Sequence, residues 1–140
     1  MKERIFIDTN IVIDLLGERI PFYTPAARIF TLADKGKIQI IVSALTYSTV
    51  FYVLSRFEEK ETVKEKLKKF KILVETAELN EKIIDQGLSS RFIDFEDAIQ
   101  YYCAINRDCT TIITRNGKDF KASAIPVLTP DEYLSRLKNR

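Results

Sequence analysis

A chain of 140 residues has the length of one domain, and a hydrophobic content of 46% is enough for a buried core. The 22 basic and 20 acidic residues nearly balance, so a nucleic-acid partner would have to bind a local patch and not a uniformly basic surface. The complete lack of histidine excludes Ser-His-Asp triads, histidine acid–base chemistry and histidine-bound zinc.

The cysteines and the amino terminus indicate the cellular compartment in which the protein is expected. Cys103 and Cys109 lack the spacing of a metal site and fit a reduced protein without disulfides. The opening MKERIFID has no signal-peptide core, and no apolar run approaches the ~18 residues of a membrane span. We therefore expect a soluble cytoplasmic protein without a membrane partner.

Short apolar strands alternate with helices along the chain. A short helix capped by Thr9 or Asn10 is expected after the first strand. Thr24 and Pro25 predict the cap and first residue of the next helix, and Gly36 predicts its end. The predicted strands are 4–8, 37–43, 71–75, 109–114 and 125–129. The other predicted helices are 44–57, 59–70, 80–90, 94–107 and 129–140, with Asn80 and Thr129 as caps.

This alternation predicts an α/β fold in a single domain spanning 1–140: a parallel sheet of about four to five strands with helices on both faces. In such sheets the loops at the carboxyl ends of the strands collect the functional groups. The polar residues that follow strands, or begin the helix before the fourth strand, are Asp8, Ser43, Thr46, Asp94, Glu96, Asp97, Thr114 and Asn116.

Carboxylates without histidine or cysteine ligands favour a hard divalent cation, Mg²⁺ or Mn²⁺, because these ions prefer oxygen. Such a site suits phosphodiester hydrolysis, in which the cation polarises the phosphate and acidifies a water. Asp94 and Asp97 are three residues apart and share one helix face, whereas Glu96 is expected to point elsewhere.

Each of these residues also has a structural interpretation. Asp94 and Asp8 are each suited to capping the helix that follows them. Asp14 is expected on the solvated side of its short helix. The lysines of KEKLKKF form either a solvated helix face or a patch for phosphates.

Four segments in order resemble the motifs of PIN domains, the fold of many bacterial toxin ribonucleases of the VapC type. They are FIDTNIVIDLL, VSALTYSTVFYVL, DFEDAIQYYCA and IITRNGKDF, and they extend over essentially the whole chain. The resemblance implies a three-layer Rossmann-like sandwich, metal-dependent endoribonuclease activity and a homodimer. Asp8 matches the first acid of the family's quartet, and Asp97 matches the third.

The other two acids of the quartet are replaced. Thr49 stands where the resemblance leads us to expect Glu, and Asn116 stands where we expect Asp. Both side chains offer oxygen but no negative charge, so weaker metal binding is expected. Asp94 is the nearest compensating acid, and Asp119 is a second one unless it pairs with Lys118 at the surface.

The leading hypothesis is a Mg²⁺- or Mn²⁺-dependent ribonuclease acting on RNA, as the toxin of a toxin–antitoxin pair. Asp8, Asp97 and Asp94 would bind the metal, and Asn116 would complete the catalytic set. Three other residues, Thr9, Ser43 and Thr114, could supply hydroxyls or backbone N–H groups to the phosphate. The alternative is a PIN-like module that binds RNA or protein with weakened or no catalysis. A phosphotransferase with Asp8 as nucleophile ranks third, because such enzymes would have Asp at position 10.

Overall fold

The computed structural model describes residues 2–139. Residues 2–139 form five strands and seven α-helices, with two helices after each of the first three strands and one short 3₁₀ turn, η1, before the last strand. The strands are β1 Glu3–Ile7, β2 Ile38–Ser43, β3 Glu75–Ala77, β4 Thr111–Ile113 and β5 Val127–Leu128. The helices are α1 Thr9–Leu16, α2 Tyr23–Asp34, α3 Ala44–Leu54, α4 Lys60–Leu73, α5 Glu81–Leu88, α6 Phe95–Asn106 and α7 Pro130–Lys138; η1 is Gly117–Phe120.

All pairings in the sheet are parallel, and the strand order is β3-β2-β1-β4-β5. The chain leaves β1 in one direction to build β2 and β3, and later crosses to the other side of β1 to build β4 and β5. The strand order therefore reverses between β1 and β4. A crevice opens at such a switch point, outside the carboxyl ends of the strands.

Alternate side chains of the strands enter two separate cores, which explains their nearly continuous apolar runs. Ile5 and Ile7 belong to a core that includes buried residues of α1, α2, α3, α4 and α7. Phe6, Ile41 and Ile112 belong to the opposite core, with residues of α5 and α6. The predicted α/β class, with a parallel sheet between two helical layers, is confirmed.

Two predicted boundaries were wrong. The helix expected to be capped by Thr24 begins at Tyr23, because the N–H of Tyr23 already bonds the carbonyl of Arg19. Pro25 is tolerated in that first turn, where no intrahelical donor is needed. Residues 71–73, expected in the third strand, are the last residues of α4, and β3 is limited to Glu75–Ala77.

Other local predictions were correct. Asn80 accepts the N–H of Ile83 and caps α5. Thr129 and Glu132 form a reciprocal capping box at the start of α7, with Pro130 as its first residue. Within residues 2–139, no helix is long and apolar enough to cross a membrane.

Candidate metal and RNA site

Asp8 and Thr114 meet at the switch point of the sheet. Ile7 and Ile113 are register partners at the ends of β1 and β4, so the residues that follow them are neighbours. The N–H of Asp8 bonds the carbonyl of Ile113 at 2.9 Å, and the Thr114 hydroxyl donates to Asp8 Oδ2 at 2.6 Å. This short bond fixes the orientation of one carboxylate oxygen.

Asp8 occupies the N-cap position of α1, yet its side chain makes no capping bond. The residue is only 5% exposed, and burial raises the pKa of its carboxyl. Hydrogen bonds with Thr114, Gln100 and the Thr9 backbone lower that pKa and partly offset the effect. A buried carboxylate that does not cap its helix favours the interpretation of Asp8 as a site residue.

The hydroxyl of Thr114 connects three parts of the site. While it donates to Asp8, it accepts the Asn116 N–H at 3.1 Å and faces Asn10 Nδ2 at 3.5 Å. Asn10 Oδ1 is buried and has no hydrogen-bond partner among the described residues. An unpaired buried oxygen this close to Asp8 is suited to a ligand or to its water shell.

The hydroxyls of Thr9, Ser43 and Thr114 are not free for a phosphate, whereas a role for their backbone N–H groups stays a prediction. All three are buried, and each hydroxyl is engaged inside the protein. Ser43 caps α3 by accepting the N–H of Leu45, and the Thr9 hydroxyl lies 3.0 Å from that of Thr46. The Thr114 hydroxyl donates to Asp8, so all three hydroxyls make contacts within the protein.

Gln100 is a site residue that the sequence did not reveal. Its Oε1 accepts both the backbone N–H and the hydroxyl of Thr9 at 3.1 Å, and its side chain lowers the pKa of Asp8. It is fully buried in α6, one turn after Asp97. A lone polar residue in the apolar run AIQYYCA, three residues after an acid on the same helix, was the available signal.

Asp97 experiences the combined charge of the other acids. Burial raises its pKa to about 7, together with the charges of Asp8, Asp94, Asp119 and Glu96. These carboxylates come from three separate segments of the chain, and Asp94, Asp97 and Asp119 line one cavity. The predicted meeting of Asp8, Asp94 and Asp97 at one edge of the sheet fits this electrostatic coupling.

Glu96 is exposed, and the expectation that its side chain points away from the other two acids stays a prediction. The pKa of its carboxyl is raised by burial and by the charges of Asp94 and Asp8.

Asp94 caps α6, as one of the two interpretations predicted. Its Oδ1 accepts the N–H of Asp97 at 3.0 Å, which also fixes the backbone of that acid. The side chain is exposed, and its second oxygen makes no hydrogen bond within the described part of the chain. Whether that oxygen also serves a metal stays a prediction.

The positions that the family resemblance singled out differ in their surroundings. Asn116 is exposed and follows Arg115 in the loop after β4. Thr49 is half-buried in α3, and none of the hydrogen bonds described for residues 2–139 connects it to the acids. Asp119, in η1, is exposed, makes no ion pair with Lys118, and acts electrostatically on both Asp8 and Asp97.

Asp14 is not solvated, contrary to expectation. It is 0% exposed and forms two bonds with Arg115, at 2.6 and 3.3 Å. Burial raises the pKa of its carboxyl, while Arg115 lowers it. The guanidinium of Arg115 also lies 4.0 Å from the ring centre of Phe22. A partner 101 residues away makes burial of the charge possible, and α1 alone gives no sign of it.

The donor set is suited to a hydrated Mg²⁺ or Mn²⁺. It consists of oxygen atoms only, and Mg²⁺ usually takes one or two carboxylates together with waters. Within residues 2–139 no group of three or more acidic or cysteine side chains is arranged to hold a metal by itself. Two carboxylates, from Asp8 and Asp97, and the unpaired oxygen of Asn10 nevertheless match such an ion.

These features define a class of protein. Its members have a parallel three-layer α/β fold with acidic residues at the switch point of the sheet. The sequence profile of the PIN domain family matches residues 4–118. The chain therefore belongs to the PIN domain family.

The chain is also similar to individual known proteins. It is 26% identical to Ribonuclease VapC1 from Aquifex aeolicus in an alignment 140 positions long that covers 96% of each protein. A crystal structure of VapBC2 from Rickettsia felis, bound to a promoter DNA fragment, has a TM-score of 0.67 at 22% identity; the match covers 89% of this chain and 96% of that one. A toxin–antitoxin complex from Klebsiella pneumoniae has the same TM-score and coverage at 25% identity.

Proposed function

We propose that the protein is a Mg²⁺- or Mn²⁺-dependent endoribonuclease that hydrolyses phosphodiester bonds of RNA. The observation that carries this proposal is the acid cluster in which the pKa of Asp97 is raised to about 7 by its neighbours. Such repulsion is relieved by a cation. The ribonuclease name of the Aquifex aeolicus relative, a protein of the same length, supports RNA as the substrate.

Asp8 and Asp97 are the proposed metal ligands, with Asp94 as a third. When bound, a divalent cation polarises a phosphodiester and acidifies an attacking water. The chain itself holds the ligands in place. The hydroxyl of Thr114 orients Asp8 and Asp94 fixes the start of α6, while Asn116 orients the outer part of the site.

The test is cleavage of a labelled RNA by the purified full chain with Mn²⁺, with Mg²⁺ or with EDTA. We expect cleavage with either cation, none with EDTA, and a loss of at least about a hundredfold in Asp8→Asn and Asp97→Asn. Asp34→Asn is the matched control, because Asp34 is an exposed acid at the end of α2. Cleavage that survives both site substitutions would show that the metal site is assigned to the wrong residues.

A second candidate function is binding without efficient catalysis. It is favoured by the absence, within residues 2–139, of a group of three acidic or cysteine side chains arranged around one position, and by neutral Thr49 and Asn116. Calorimetry with millimolar Mn²⁺ separates the two candidates. A saturable site that Asp97→Asn removes supports the nuclease, and RNA binding without Mn²⁺ binding or cleavage supports the binding module.

We also propose an antitoxin protein as a partner, with the chain acting as a homodimeric toxin in the cytoplasm. The toxin–antitoxin assemblies named for the structural neighbours support a partner of this kind. Two buried, unpaired cysteines suit a reducing compartment. Light scattering of the purified chain tests the dimer, and growth arrest on expression, relieved by a co-expressed partner, tests the toxin role.

A further inference from the structure

A cavity of about 240 Å³ adjoins the acid cluster, and its wall carries both signs of charge. Asp94, Asp97 and Asp119 form the acidic part of the wall. The rest includes three cations, which we call the basic rim. The basic rim consists of Arg91, Lys118 and Lys121.

The basic rim is assembled from two distant segments. Arg91 lies in the loop between α5 and α6, Lys118 belongs to η1, and Lys121 follows η1 directly. All three residues are exposed. The fold therefore brings these charges to one opening, which α6 and η1 border together.

None of the three cations takes part in an ion pair of residues 2–139, although three acids line the same cavity. Other cations of the molecule do pair, as Arg4 does with Glu75. Unpaired cations around a cavity attract an anion. An anion held there would lie directly beside the carboxylates proposed to hold the metal.

A second cavity, of about 330 Å³, contains one basic side chain, Arg115, which is paired with Asp14 and packed on Phe22. That cavity therefore offers a polyanion no unpaired basic side chain, whereas the cavity of the basic rim offers three.

Apolar side chains complete the cavity of the basic rim. Phe92 and Ile93 line it, and Ile93 is fully exposed to solvent. An exposed apolar side chain and a half-buried aromatic ring beside unpaired cations suit an unstacked base, which a duplex keeps covered. This combination of side chains favours the binding of single-stranded over double-stranded nucleic acid.

We propose that this cavity holds the nucleotide adjoining the cleaved bond of a single-stranded RNA, with the basic rim pairing with its phosphates. The proposal rests on the proposed ribonuclease function and adds which side of the acid cluster the strand occupies. Arg91, Lys118 and Lys121 are substrate-binding residues in this arrangement, and Phe92 and Ile93 contact a base.

The test measures binding and not cleavage. A fluorescein-labelled single-stranded RNA of about twelve nucleotides is titrated with the full chain in EDTA, by fluorescence anisotropy, over a range of salt concentrations. The rim variant combines Arg91→Ala, Lys118→Ala and Lys121→Ala. All three side chains are exposed, so the fold is expected to persist, and circular dichroism checks it.

The matched control removes the same charge from the other edge of the sheet. Lys2→Ala, Lys35→Ala and Lys37→Ala lie immediately before β1 and β2, away from the carboxyl ends, and none of these lysines is in an ion pair of the described residues. We expect the rim variant to bind at least about tenfold more weakly than wild type, with a log–log salt slope lower by about 2, and the control variant to bind nearly as wild type does.

Equal losses in the rim and control variants, an unchanged rim variant, or no RNA binding by wild type would overturn the proposal. An unlabelled duplex of the same sequence should compete at least about tenfold less well than the single strand, and equal competition would also overturn it. Cleavage with Mn²⁺ is scored separately. If the RNA binds through the basic rim but is never cut, only the proposed nuclease function is refuted. If the rim variant binds and cuts RNA as wild type does, only the proposed binding site is refuted.

Discussion

Replacing Asp97 by Asn should stabilise the metal-free protein at neutral pH. The pKa of Asp97 is raised from 3.8 to about 7 in the folded chain, so ionisation of this carboxyl opposes folding. A shift of this size corresponds to at most about 4 kcal/mol. Asp97 is only half-buried, and solvent screening reduces the expected effect to about 1–2 kcal/mol.

The sign of the pH dependence follows from the raised pKa. Between about pH 4 and pH 7 the folded chain keeps a proton on Asp97 that the unfolded chain has already released. Stability of the wild type therefore falls as pH rises through this window. The advantage of Asp97→Asn should be small near pH 4 and reach its full size above pH 7.

Urea unfolding in EDTA at several pH values measures this difference. Asp34→Asn serves as the control, and we expect it to follow the wild-type profile because Asp34 is exposed and lies outside the acid cluster. Millimolar Mn²⁺ should stabilise wild type more than Asp97→Asn. A constant difference between the Asp97 variant and wild type from pH 4 to pH 8 would contradict the electrostatic coupling of the acids.

Three further predictions concern residues around the acid cluster. Thr114→Val removes the hydroxyl that bonds the Asp8 carboxylate and should lower the free energy of unfolding in urea by about 1–3 kcal/mol. Thr114→Ser should retain most of the wild-type stability, and equal losses in the two variants would refute the role of the hydroxyl. Arg115→Met leaves the Asp14 carboxylate buried and unpaired and should cost about 3 kcal/mol; a loss below about 1 kcal/mol would contradict a structural ion pair. Thr49→Glu with Asn116→Asp supplies both expected acids and should tighten Mn²⁺ binding at least about tenfold by calorimetry; unchanged affinity would place both side chains outside the metal's reach.

The fold and the approximate location of the site could be predicted from the sequence because both depend on local signals. Short segments of the sequence are enough to indicate apolar strands, helix caps and the positions of strand ends. Asp8 follows a buried strand. In a parallel sheet that position lies at the carboxyl ends of the strands, where functional groups collect, and this does not depend on the rest of the sequence.

The errors concern residues whose partners are distant in sequence. Asp14 is buried only because Arg115 meets it, and Gln100 becomes part of the site only because α6 places it against Thr9. The third strand was misplaced because α4 continues helically through residues 71–73 and leaves three residues for β3. Periodicity cannot distinguish a short edge strand from the last turn of a helix.

The central claim is that Asp8 and Asp97 together hold one divalent cation for RNA hydrolysis. Diffraction from crystals soaked in Mn²⁺, recorded for its anomalous signal, tests it directly. We predict one strong peak within coordination distance of both carboxylates, with Asp94 or Asn10 near its water shell, and no such peak in Asp97→Asn. A peak elsewhere, or none at millimolar Mn²⁺, would contradict the claim.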